Sequence, residues 1–148
     1  MGARRRKFDG LLRRIDRLAL ETGEKLVLIG WSLGGLYARE AAKRRTDKVG
    51  MVITLGTPFS RGLRDNNAWK LYEAVNDHDV DHPPVSVTPE QKPPVRTVAI
   101  WSSEEGIVAP ASASGRPGES DEQIEVHCPH NELVSHPEVA TAVLRLLR

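Results

Sequence analysis

The feature that most constrains this chain is a glycine-rich turn between two segments of different character. The apolar run at 26–29 leads directly into G-W-S-L-G-G at 30–35, and a helix-favouring stretch follows at 36–42. Strand, G-x-S-x-G and helix in this order predict a nucleophile elbow, a strained turn that lifts the serine hydroxyl above a sheet. The residues two before and two after the serine must be small, and Gly30 and Gly34 meet that demand. A passive glycine-rich turn is the alternative interpretation.

Size and charge narrow the class of protein. The chain has 148 residues, the usual length of one domain, and its 21 basic and 20 acidic residues leave a formal net charge of +1. This balance gives no electrostatic reason to expect nucleic acid, and we interpret the basic run at 4–7 as a solvated helix face. The single cysteine suits a reducing compartment, and no apolar run is long enough for a transmembrane helix. We therefore expect a cytoplasmic protein.

Helix and strand patterns alternate along the chain. This alternation predicts one domain over 1–148 with a three-layer α/β/α architecture and a mostly parallel sheet of about four strands. The predicted helices cover 4–21, the elbow helix to about 45, 67–75, and a last helix in which Ser135 and Glu138 form a capping box and Pro137 lies in the first turn. The predicted strands cover 25–29, 49–55, 95–100 and 124–126, with a Ser/Gly/Pro-rich connection at 110–120.

A proline-rich segment interrupts this pattern at 76–94, which contains five prolines and is predicted to be a lid-like loop. It also contains aspartates and histidines that invite a metal interpretation: Asp77, His78, Asp79, Asp81 and His82. Their spacing matches no established ligand set, so a solvated loop is the favoured interpretation and no metal is expected.

A serine hydroxyl needs a histidine to accept its proton and a carboxylate to orient that histidine. Glu104 and Glu105 directly follow the third predicted strand, and the histidine candidates His127, His130 and His136 follow the fourth. The order serine, acid, histidine is that of the α/β-hydrolases. Cys128 could suggest a thiol nucleophile, but it has no elbow beneath it and is interpreted as a packing residue.

Four segments resemble bacterial lipases and esterases of the α/β-hydrolase fold, over most of residues 5–148. Residues 29–41, 52–59, 105–108 and the region of His130 are similar to GHSMGGLVAR, LVTLGTPHRG, TDGIV and GSHLGL. The resemblance implies Ser32 as nucleophile, Glu105 in the place of the family aspartate, His130 as general base, and the Leu33 amide as one oxyanion donor. It implies no cofactor and an ester or lipid-like small-molecule substrate.

The resemblance begins at the strand that is the fifth of about eight in those enzymes. We therefore expect a truncated domain, without the family's second oxyanion donor and with an apolar sheet edge from Lys25 to Ile29. That edge is expected to pair with a second copy of the chain or with a complementing chain. The predicted function is carboxylic-ester hydrolysis through an acyl-serine, and the alternative is a weak or inactive remnant that serves as a binding or assembly module.

Overall fold

The computed structural model of the chain describes residues 3–62 and 89–148. In chain order, the elements are α1 (Ala3–Thr22), β1 (Leu26–Trp31), α2 (Gly34–Arg44), β2 (Val49–Leu55), β3 (Arg96–Ser102), α3 (Pro110–Ser114), β4 (Glu122–Val126), a 3₁₀ turn (His130–Glu132) and α4 (Pro137–Leu146). Within these two ranges, no helix is long and apolar enough to cross a membrane.

The strands form one sheet in the order β1-β2-β3-β4, and every neighbouring pair is parallel. Each strand lies beside the one that precedes it in the chain, so the carboxyl ends of all four strands meet at one edge of the sheet. This arrangement confirms the predicted α/β fold with a parallel sheet of four strands.

Helices cover the two faces of the sheet because each presents an apolar stripe. On one face, α1 buries Phe8, Leu12 and Ile15 against α2 and β2. On the other face, α4 buries Val139 and Leu146 in a cluster with β2, β3 and β4. The sheet is therefore the middle of three layers.

A buried arginine ties α2 to the segment before β4. Arg39 is fully buried, donates from Nη2 to the Glu119 carbonyl oxygen at 2.9 Å and from Nε to the Pro89 carbonyl oxygen at 3.1 Å. Its guanidinium lies 4.1 Å from the centre of the Phe59 ring. Burial lowers the pKa of Arg39 to about 10, so the side chain stays charged at neutral pH. A buried guanidinium has only donors, and the two carbonyl oxygens supply the acceptors that it needs.

The element bounds differ from the sequence prediction at several ends. β1 continues to Trp31, two residues beyond the predicted strand, and β4 begins at Glu122 rather than at 124. The connection at 110–120 contains the short helix α3, which begins at a proline in the first turn, a position where the missing N–H costs nothing.

The predicted cap of the last helix is wrong. The N-cap of α4 is His136, whose Nδ1 accepts the Glu138 N–H at 3.2 Å, and not Ser135. His136 precedes Pro137 and is held in the extended region that a residue before proline prefers, which is also the backbone of an N-cap. Leu147 lies beyond the helix and is half exposed, so it does not line the buried face.

Two predictions fall on residues outside the described ranges. The predicted helix at 67–75 lies wholly outside them, as do Asp77, His78, Asp79, Asp81 and His82. Of the predicted lid-like loop at 76–94, residues 89–94 are described, and they form neither helix nor strand.

Candidate functional site

The turn between β1 and α2 holds Ser32 in a left-handed backbone conformation, with φ of 54°. A side chain pays a steric penalty there, so surrounding contacts must hold the residue in place. The Ser32 N–H donates to the Leu55 carbonyl oxygen at 2.9 Å, and Thr57 Oγ1 donates to the Ser32 carbonyl oxygen at 2.8 Å. Residues from β2 and the turn after it therefore fix the strained serine.

Two glycines allow the strand and the helix to approach at this turn. A Cβ on Gly30 would lie 2.5 Å from Gly35 Cα, and a Cβ on Gly35 would overlap the Thr57 side chain. Gly34, by contrast, has no atom within 4 Å of its Cβ position among the described residues. The sequence prediction is therefore right about Gly30 and wrong about Gly34, because the close contact falls one residue later.

His130 lies against the serine, at the carboxyl edge of the sheet. Its Nε2 is 3.0 Å from Ser32 Oγ, and its Nδ1 contacts Glu105 Oε1. All three residues are nearly inaccessible, with 4%, 2% and 2% exposure for Ser32, His130 and Glu105. Residues from three separate parts of the sequence thus bring a hydroxyl, an imidazole and a carboxylate together in a buried row.

Backbone contacts fix the two partners of the serine. Glu105 Oε1 accepts the Val108 N–H at 3.0 Å, and the Glu105 carbonyl oxygen accepts the His130 N–H at 3.0 Å. Within the described residues, Glu105 Oε2 has no hydrogen-bond partner. Of the two acids that the sequence left open, the structure brings Glu105 to the histidine and leaves Glu104 exposed.

The other histidine candidates lie elsewhere. His127 is exposed and its Nδ1 is 2.9 Å from Glu138 Oε1, while His136 caps α4. The hydrogen bond between His127 and Glu138 raises the pKa of the histidine and lowers that of the carboxyl. Cys128 is buried in the core, and burial raises the pKa of its thiol, so the interpretation as a packing residue is confirmed.

The sequence did not identify three residues that shape this site. The Trp31 ring lies 5.2 Å from the His130 ring, centre to centre, and its Nε1 donates to the His130 carbonyl oxygen at 3.1 Å. Gly56, with φ of 58°, packs beneath the acid and histidine, and a Cβ there would lie 3.1 Å from Glu105 Oε2. Thr57 supports the Ser32 carbonyl. The available signals were the resemblance of the segment 52–59, which contains Gly56 and Thr57, and the place of Trp31 directly before the serine.

One backbone donor is free beside the serine. In the described parts of the chain, the Leu33 N–H has no hydrogen-bond acceptor, and it belongs to the residue that follows Ser32. A free N–H at the start of a helix attracts negative charge. The described residues contain no group of three His, Cys, Asp or Glu side chains that could hold a metal ion.

Comparisons with known proteins identify the family and the fold of the chain. The model of a family described as PGAP1-like alpha/beta domain matches residues 8–114. Among solved structures, an α/β hydrolase enzyme from the sediment metagenome of the Mar Chica lagoon, Morocco, is similar with a TM-score of 0.62 and 20% identity, covering 95% of this chain and 68% of that one. A monoacylglycerol lipase from Paleococcus ferrophilus gives a TM-score of 0.59 and 17% identity, covering 95% and 73%.

A curated relative matches a shorter stretch. It is the biotin biosynthesis bifunctional protein BioHC of Teredinibacter turnerae, which is 39% identical over 51 residues, or 34% of this chain. The match spans 9% of the length of that relative. The family model covers well over half of the chain, and the solved structures share the arrangement of its sheet and helices. The chain therefore belongs to the PGAP1-like alpha/beta domain family and has the α/β-hydrolase fold of lipases and esterases.

Proposed function

We propose that this protein is a serine hydrolase that cleaves carboxylic esters through an acyl-serine intermediate. The observation that carries the proposal is the 3.0 Å separation of Ser32 Oγ and His130 Nε2, with Glu105 on the opposite ring nitrogen. Distance and order match the roles of nucleophile, general base and orienting acid.

In the proposed reaction, Ser32 Oγ attacks the ester carbonyl carbon while its proton passes to His130 Nε2. The tetrahedral intermediate then collapses, the bond to the alcohol oxygen breaks, and His130 returns the proton to the leaving alkoxide. A water molecule, deprotonated by His130, releases the acid from Ser32 in the same way. Glu105 accepts the hydrogen bond from His130 Nδ1–H, orients the ring and stabilises the imidazolium.

The position of the free Leu33 N–H fits an oxyanion donor for the tetrahedral intermediate. A second donor in such enzymes comes from another loop, and losing one donor costs roughly 100- to 1,000-fold in turnover.

The proposed substrate class rests on the solved structures to which this chain is similar. The similar structures include a monoacylglycerol lipase and an α/β hydrolase enzyme. We therefore propose an ester or lipid-like substrate for this chain, in the reducing cytoplasm that its single buried Cys128 suits.

The test of the proposal is ester hydrolysis by a pair of serine variants. We expect wild-type protein to hydrolyse p-nitrophenyl butyrate and Ser32→Ala to lose at least about 1,000-fold of that activity. Ser103→Ala, which removes an exposed hydroxyl, is the matched control and should retain full activity. If well-folded wild-type protein does not hydrolyse the ester, or if Ser32→Ala is as active, the proposal fails and the inactive binding module becomes the better account.

We also propose that β1 associates with a second copy of the chain. Among the described residues β1 pairs only with β2, and it exposes Val27, Ile29 and Trp31 by 38%, 48% and 39%. An apolar edge strand with unpaired backbone groups is a template for pairing with another chain.

Light scattering coupled to size exclusion tests this association. We expect twice the chain mass of 16.4 kDa for the wild type and the chain mass itself for Ile29→Lys, since a charge on an edge strand opposes pairing. Leu20→Lys, at a residue 84% exposed on α1, is the control and should remain a dimer. A monomeric wild type at high concentration would overturn the association.

A further inference from the structure

An apolar cavity lies beside the serine turn, between the first turns of α1 and the first turn of α2. Its volume is about 310 Å³, and it is lined by Lys7, Phe8, Leu11, Gly34 and Tyr37. The Phe8 and Tyr37 rings contact each other, with centres 6.0 Å apart. Lys7 is exposed, and a lysine in such a position can cover apolar surface with its methylene stem.

The cavity is at the same end of the sheet as Ser32. α1 is joined to β1 by a short turn at 23–25 and packs along α2, so its first turns lie at the carboxyl end of β1. Gly34 opens α2 only two residues after Ser32. Gly34 therefore belongs both to the cavity wall and to the turn that holds Ser32.

Gly34 contributes no side chain to the wall of the cavity. In the described residues nothing lies within 4 Å of the position where its Cβ would be, and its φ is not in the left-handed region. Neither close packing nor backbone conformation in the described structure thus requires glycine here. Because Gly34 lines the cavity, a larger side chain there would take up part of its volume.

We propose that this cavity binds the acyl chain of the ester substrate and that Gly34 determines the chain length accepted. The inference rests on the proposed ester hydrolysis at Ser32 and names its substrate class. An apolar cavity of about 150 Å³ is known to hold benzene, so a cavity of this size accepts a chain of roughly eight to twelve carbons. The occupant is therefore a medium-length fatty acyl group.

The first measurement is direct binding of octanoate by titration calorimetry, in a Ser32→Ala background that cannot turn over ester. We expect Gly34→Leu, added to this background, to weaken octanoate binding at least tenfold by filling the cavity. Gly10→Leu is the matched control, because Gly10 is also a helical glycine and, among the described residues, its Cβ would meet only Arg13 Nη2 at 3.9 Å. The control should change binding less than twofold.

The second measurement is the chain-length profile of ester hydrolysis with an intact Ser32. From p-nitrophenyl butyrate to octanoate, we expect kcat/KM to rise about fourfold for each methylene buried, and this rise to flatten in Gly34→Leu but not in Gly10→Leu. The ratio of octanoate to butyrate kcat/KM within each variant removes any general change in activity. Circular dichroism and thermal unfolding establish that each variant is folded.

The outcomes separate this inference from the proposed function. If the protein hydrolyses no ester but binds octanoate, and Gly34→Leu abolishes that binding, the cavity proposal stands and the hydrolase proposal fails. Ester hydrolysis without chain-length dependence, or octanoate binding that Gly34→Leu leaves unchanged, overturns the cavity proposal while the hydrolase proposal stands.

Discussion

Gly56 provides a sharp test of how the site is held, because a single added methyl group would press on the acid and histidine. An alanine Cβ at this position would lie 2.5 Å from Leu133 Cδ1, 3.1 Å from Glu105 Oε2 and 3.4 Å from His130 Nδ1. Leu133 is fully buried but lines a cavity of about 410 Å³, so its side chain has room to shift. The 3.1 Å approach to Glu105 Oε2 is tighter than ordinary contact, so Gly56→Ala should displace the acid that orients His130.

The energetic cost has two parts that a control can separate. Placing alanine in the left-handed region costs about 1–2 kcal/mol, and overpacking a core adds about 1–3 kcal/mol. Gly118→Ala is the matched control: its φ is 88° and no atom lies within 4 Å of its Cβ position in the described structure. Only the first cost applies to Gly118→Ala, so Gly56→Ala should be less stable than the control by about 1–3 kcal/mol.

Thermal unfolding and ester hydrolysis measure the two consequences. At about 2–4 °C per kcal/mol for a chain of this size, the Tm of Gly56→Ala should lie roughly 2–12 °C below that of Gly118→Ala. A displacement of about 1 Å at a catalytic pair can cost on the order of 100-fold in rate, so we expect kcat to fall strongly in Gly56→Ala alone. Equal Tm and equal kcat in the two variants would refute the reasoning.

Three further perturbations probe the surroundings of the site. Arg39→Met leaves the partly buried carbonyl groups of Pro89 and Glu119 without this donor and should cost about 1–3 kcal/mol in urea unfolding, and Arg39→Lys should recover less than half of that loss; full recovery would contradict a role for the guanidinium geometry. The ion pair of His127 and Glu138 stabilises the fold only while both side chains are charged, since the pKa of His127 is raised and that of Glu138 is lowered. Its stabilising effect is present just below the ordinary histidine pKa of 6.5 and is lost as pH rises through the raised pKa of His127. The effect is also lost as pH falls through the lowered pKa of Glu138. The Tm difference between wild type and His127→Gln should therefore be larger near pH 6 than near pH 9, and a constant difference would exclude this linkage. Thr57→Val removes one of the two donors to the Ser32 carbonyl oxygen and leaves the Gly35 N–H as the other, so it should cost about 0.5–1.5 kcal/mol and slow ester hydrolysis, with Thr57→Ser close to wild type; a serine variant no better than valine would contradict it.

Local patterns allowed much of the fold to be predicted. The apolar runs and the glycines around 30–35 are contiguous in sequence, so strand, tight turn and helix could be inferred there without knowledge of the rest. Where two local signals competed, the prediction failed. Ser135 has the spacing of a capping box, but the residue before Pro137 is already held extended, so His136 became the cap.

The contacts between distant residues could not be predicted in the same way. Trp31 and His130 are 99 positions apart, and their contact depends on the sheet register and on the turn after β4. The choice between Glu104 and Glu105 depends on where the turn after β3 points each side chain, which adjacent positions in a sequence do not reveal. Gly56 and Thr57 act on the site only because β2 lies beside β1.

The most direct test of the central claim is covalent labelling of Ser32 by a fluorophosphonate, read by intact mass and peptide mapping. An activated serine displaces fluoride from phosphorus, so we expect one adduct per chain on the peptide that contains Ser32. His130→Ala should label far more slowly, because the histidine takes the serine proton. A folded wild-type protein that acquires no adduct, or acquires it on another residue, would contradict the account.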